Sequence, residues 1–183
     1  MRVTPRLVTA LTAALFLLLV ANTVYFVLSG SASKAVDSCA WLTLLALFEA
    51  ETSFSRLVAG ANRQRVVRTT RLFAAAGVVA ATIGYVFEDN VLDAANSVLW
   101  MLVVALLEVQ FRARAFSARH ARTLRLVAAG IYGSLGVLVL LWVMQGLWFD
   151  AYDAVLWLTA FVAIELAVTR RAPRTEGNHG FPP

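Results

Sequence analysis

Long apolar runs separated by short polar clusters divide the chain into six segments: Leu7 to Leu28, Val36 to Phe54, Leu72 to Phe87, Val91 to Phe111, Leu124 to Phe149 and Ala151 to Thr169. A helix needs roughly 20 mostly apolar residues to cross a hydrocarbon core about 30 Å thick. The third run is short and is expected to begin earlier, with Arg68 and Arg71 reaching back to the headgroups along their apolar stems. No Pro interrupts a run, since Pro5 precedes the first and Pro173, Pro182 and Pro183 follow the last. The pattern predicts an all-α integral membrane protein of six transmembrane helices.

A second pattern lies inside the first. An Asp or Asn is followed by Trp four residues on and by Glu eight residues after that, three times: Asp37, Trp41, Glu49; Asn96, Trp100, Glu108; Asp153, Trp157, Glu165. The odd-numbered helices repeat too, each opening on Arg-Leu at Arg6, Arg71 and Arg125. The chain therefore reads as three tandem helical hairpins, about residues 5–56, 65–114 and 122–171, in one domain over 1–172 with a flexible tail over 173–183. Each hairpin crosses twice, so the three are parallel and are expected to form a bundle with approximate pseudo-threefold symmetry about the membrane normal. Small residues at four-residue steps, Ala76, Ala80 and Gly84 in the third helix and Gly130 and Ser134 in the fifth, predict close helix packing at both places.

Composition agrees with this reading. Hydrophobic residues make up 60% of the chain, and the mean hydropathy is +0.74, well beyond ordinary globular values. Charge then supplies an orientation. Arg residues crowd alternate connections, from Arg56 to Arg71 and from Arg112 to Arg125, and both ends of the chain. The other connections hold Lys34 as their sole base, beside Asp37, Glu88, Asp89, Asp93, Asp150 and Asp153. The positive-inside rule puts both termini in the cytoplasm, in a plasma or inner membrane. Arg2, Arg6 and the run after them resemble a secretory signal peptide, but the run extends to Leu28 and belongs to the repeat, so it is read as a retained helix. The net charge of +5 is explained by Arg-rich loops against anionic lipid headgroups and does not call for nucleic acid. A single cysteine, Cys39, excludes an internal disulfide.

The candidate chemistry is the carboxylate in each repeat. With Asp37, Asn96 and Asp153 at the outer interface, Glu49, Glu108 and Glu165 lie roughly 18 Å deeper, past the midplane. A charge at helix centre costs about 2.5–3.5 kcal/mol on the insertion scale, so each Glu must be paired, protonated or ligated. Pairing has nearby candidates in Arg56, Arg112 and Arg170, and Glu51, outside the repeat, has Arg56 or Arg63 within reach. Convergence of the three Glu in one layer would instead create a site for a proton, Na⁺ or a hard divalent cation. Copper, zinc and haem are disfavoured, because His120 and His179 lie outside the apolar runs. Asp37, Asn96 and Asp153, with Trp41, Trp100 and Trp157, read as an outer mouth or as structural positions, the Trp rings suiting the interfacial belt.

The leading expectation is thus a small proton or cation transporter or channel-like protein using the Glu layer, with no cofactor beyond its ion. Beside it stands a non-catalytic accessory or assembly subunit of a larger membrane complex, docking a protein partner or a second copy. A membrane enzyme acting on lipid comes third, since no nucleophile and base, and no His-containing carboxylate cluster, lie at one depth.

Overall fold

The computed structural model describes residues 5–53, 60–113, 117 and 119–171. Within them the chain forms six long helices: α1 (Pro5–Ser29), α2 (Ala32–Ser53), α3 (Ala61–Phe87), α4 (Val91–Arg112), α5 (Ala121–Met144) and α6 (Trp148–Arg171). Pro5 opens α1, where its missing N–H and fixed φ cost nothing. The third helix begins well before its apolar run, as expected, and carries Arg63, Arg65, Arg68 and Arg71 on its first turns. Three segments are long and apolar enough to cross a membrane: Ala61–Phe87, Val91–Gln110 and Ala121–Met144.

Two boundaries differ from the apolar runs. The fifth run, continuous to Phe149 in sequence, breaks at Gln145 to Leu147, where Gly146 takes φ 76°. There the Gly146 N–H donates to Val143 O and the Leu147 N–H to Trp142 O, so a Schellman turn ends α5. Asp89 takes the equivalent left-handed position after α3, with φ 53° and the Asn90 N–H donating to Tyr85 O. In addition, α2 starts at Ala32, four residues before its apolar run, which brings Lys34 into its first turn.

Each helix packs against its neighbours in sequence, and α6 packs back against α1, closing the six into a ring. The interior is apolar and aromatic. Leu19, Trp41, Val78, Trp100, Val103, Leu135, Trp142 and Leu156 are buried in three clusters that run along it. The outside is also apolar: Phe73 is 75% exposed and Met144 82%, with Leu72, Ile83, Leu126 and Leu140 similarly uncovered. Helices that are hydrophobic both inward and outward have no aqueous surface to offer, and such a body is stable in lipid.

The hairpin turns gather at one end. Ser31 and Ser33, at the start of α2, both donate to the Glu88 carboxylate after α3, at 2.7 and 2.6 Å. On the other side of this end, Tyr25 and Phe26 of α1 stack on Phe149 of α6, with ring centroids 4.0 and 5.3 Å away. At the opposite end Glu51 pairs with Arg71 of α3.

Candidate functional site

The polar side chains of the bundle interior collect at the turn end. Three of them, Asp37 on α2, Asn96 on α4 and Asp153 on α6, line one small cavity of about 30 Å³. They are the first marker of each sequence repeat. Lys34, Ser38, Tyr85, Asp93 and Asp150 complete its polar wall. The space is enough for one or two water molecules.

Each side chain reaches this cavity for a local reason. Asp93 sits in the first turn of α4, whose N-cap Asn90 accepts from the Asp93 N–H at 3.4 Å while its amide donates to the Asp93 carboxylate. Carboxylates are favoured at helix N-termini, and Asp150 occupies the same place on α6. Lys34 reaches across from α2 and binds both, with Nζ 3.1 Å from Asp93 and in direct contact with Asp150. One ammonium therefore ties three helices together. Phe26 lies under it, 5.6 Å from Nζ to the ring centroid, adding a cation–π contact.

Asp37 and Asp153 are held differently. Asp153 accepts from the Asn22 amide of α1 at 2.8 Å. Asp37 accepts from the Tyr85 hydroxyl at 3.3 Å and the Ser97 hydroxyl at 3.4 Å. Ser97 is fully buried and also bonds Thr82 of α3 at 2.8 Å. From below, the Trp41 indole N–H faces the Asp37 carboxylate without reaching hydrogen-bond geometry. These donors are all neutral. Among the described residues, two buried polar atoms have no hydrogen-bond partner, Trp41 Nε1 and Asn96 Oδ1. Both adjoin this site. Outside the helices, Glu88 is held below its ordinary glutamate range by the hydrogen bonds from Ser33 and Ser31.

Beneath the cavity lies an aromatic plug. Trp41 meets Trp100 and Trp157 edge-on, at centroid distances of 6.4 and 6.5 Å, and Phe161 stacks on Trp100 at 4.6 Å. Trp41 is 8% exposed and Trp100 5%. Trp41 and Trp100 are therefore core residues, with Trp157 partly buried against them. Large rings at equivalent positions of α2, α4 and α6 fill the space where these helices face one another.

Glu49 is half-buried and Glu108 exposed, and neither is without a partner. Arg56 lies outside the described residues, as do the side chains of Arg112, Glu165 and Arg170. Among the described residues no three His, Cys, Asp or Glu side chains are grouped to hold a metal ion. The residue that sequence reasoning passed over is Lys34. Its signal was present: it is the lone Lys in the chain and the lone base among the acidic connections. Comparison with known proteins found no matching family model, no similar curated protein and no similar solved structure.

Proposed function

We propose that the chain is a six-span membrane protein of three parallel hairpins, both termini cytoplasmic, that moves protons or small cations. One observation carries this reading: Asp37, Asn96 and Asp153, first residues of the three sequence repeats, line a single cavity at the turn end of the ring. Two further carboxylates and one ammonium share that cavity. An acidic vestibule of this kind concentrates cations at its mouth. Glu49, Glu108 and Glu165 lie roughly 18 Å further in by helical rise, as the next carboxylate step toward the cytoplasm. The ion would pass between these layers by a rearrangement of the Trp41, Trp100 and Trp157 plug.

That plug also favours a second reading. A bundle with its interior filled by interlocking rings serves equally as a rigid scaffold, an accessory subunit whose Arg-rich loops meet anionic lipid or a protein partner.

Gradient dissipation in proteoliposomes separates the two. On the transport reading, wild type collapses an imposed pH or cation gradient, and the Asp37→Asn/Asp153→Asn variant does so at least tenfold more slowly, about 1.4 kcal/mol in barrier height. Flux no greater than that of empty liposomes for H⁺, Na⁺, K⁺ and Mg²⁺ rules it out. Stoichiometric co-purification with a membrane partner in that case identifies the scaffold.

A further inference from the structure

The charge inventory of the outer cavity does not balance. Asp37, Asp93, Asp150 and Asp153 line it with Lys34 as the single cation. Lys34 is committed to Asp93 and Asp150. Asp37 and Asp153 are left with neutral donors, namely Tyr85 and Ser97 for one and Asn22 for the other. Four carboxylates lining one small cavity with a single ammonium do not all stay ionised together.

The hydrogen-bond inventory is unbalanced at the same place. Asn96 Oδ1 lines the cavity as a buried acceptor that no described donor reaches. Trp41, nine-tenths buried, aims its unpartnered N–H at Asp37. A buried acceptor left without a partner is destabilising, so such groups are ordinarily satisfied. The hydrogen bonds seen from Lys34, Asn22, Tyr85 and Ser97 go to carboxylates, and none goes to this oxygen. The cavity has room for a water molecule, and water or an un-ionised carboxyl supplies an O–H donor. A hard divalent cation is disfavoured, because it takes six or more oxygen ligands and the described acids are not grouped for one.

We propose that the outer cavity is a proton-binding site, in which its two carboxylates without an ammonium partner, Asp37 and Asp153, hold one proton together with a water seated on Asn96 Oδ1, with Lys34 pinned to Asp93 and Asp150 as fixed counter-charge. The proton enters from the outer solution as hydronium and leaves to it or to the next carrier, and no covalent bond other than O–H changes. Asp37 is faced by Tyr85 of α3, by Asp93, Asn96 and Ser97 of α4, and by Trp41 of its own helix. Asp153 is faced by Asn22 of α1, Lys34 of α2, Asp93 of α4 and Asp150 of its own helix. The site's purpose rests on the transport reading, but its occupancy is measured independently of flux.

Infrared spectroscopy of the full chain in lipid bilayers tests it. The expected result is an un-ionised carboxylic acid carbonyl band at neutral pH that disappears on titration to alkaline pH. It persists in the Glu49→Gln/Glu108→Gln/Glu165→Gln variant and is lost in Asp37→Asn/Asp153→Asn. Should that double variant not fold, each single Asp→Asn variant is expected to shift the titration midpoint by about one pH unit or more, and so is Asn96→Leu. Absence of the band throughout the folded pH range, or its full retention in Asp37→Asn/Asp153→Asn, overturns the proposal. Loss of the band when Na⁺ replaces choline at constant pH also overturns it, in favour of an alkali cation. A band without flux in proteoliposomes keeps the site and removes the transport reading. Flux without a band removes the site and keeps transport.

Discussion

Two helix seams built from similar sequence are used in opposite ways. Both α3 and α5 carry small residues at four-residue steps, the usual means by which helices approach in lipid. At the α2/α3 seam the approach is made. A Cβ on Gly77 would lie 3.3 Å from Ala40 Cβ, and one on Gly84 would lie 2.2 Å from Ser33 Oγ. On α5, Gly130, Gly133 and Gly136 have nothing within 4 Å of a Cβ position among the described residues. The α4/α5 seam instead keeps a small cavity lined by Leu107, Gln110, Ala128 and Tyr132. Small residues permit close packing but do not compel it. Polar contacts also join α2 to α3 at the turn end, with Ser31 and Ser33 on Glu88 and Asp37 on Tyr85, while Lys34 ties α2 to Asp93 of α4 and Asp150 of α6.

If polar contacts hold the α2 side together, the largest loss follows removal of Lys34. Lys34→Met leaves Asp93 and Asp150 facing each other at the cavity without their ammonium, and removing one partner of a buried pair costs about 3–5 kcal/mol. Both carboxylates are near the rim, with 9% and 14% of their side chains exposed, so the lower end, about 3 kcal/mol, is expected. Thermal unfolding in detergent should show it as a clear drop in Tm. An unchanged Tm would mean that Lys34 does not tie α2 to α4 and α6.

A smaller effect tests the seams directly. Gly84→Val must displace Ser33 and push α2 from α3, an overpacking cost of about 1–3 kcal/mol. Gly133→Val, on the bare face of α5, should change Tm little, since the added methyls meet only lipid. Equal destabilisation by the two would show that α5 is packed against something outside the ring, and the contrast would collapse.

The same contrast shows how far the sequence could be read. The apolar runs gave the helices, and the turn positions were misplaced only where backbone geometry overrode composition, as at Gly146 within a continuous apolar run. The first residues of the three repeats, Asp37, Asn96 and Asp153, were legible as a set because their spacing to Trp does not vary. That they share a cavity was not, because sequence spacing fixes depth along a helix but leaves its rotation about the axis open. The Trp residues illustrate that gap. Their depth near the turn end suited a wet interface equally well, and the inward rotation of α2 and α4 turns Trp41 and Trp100 into core. Lys34 was legible as an oddity of composition, but its two partners lie 59 and 116 residues away along the chain and only the closed ring brings them to it.

The smallest expected effect concerns pH. Glu88 lies beyond the end of α3, and the hydrogen bonds from Ser33 and Ser31 lower its folded-state affinity for protons. Since the unfolded chain then binds more protons than the folded one, stability should rise with pH through this window. The Ser–Glu88 contribution is present above the ordinary glutamate range and is lost as pH falls through the lowered folded value. Exposure of the carboxylate keeps the contribution small. Comparing acid unfolding of wild type with Ser31→Ala/Ser33→Ala isolates it. The variant should lose that part of the acid-side slope while the two proteins keep the same slope near neutral pH. If their acid limbs coincide, the Ser–Glu88 contacts do not hold the α2/α3 turn end together, and the closeness of that seam must come from Gly77 and Gly84 alone.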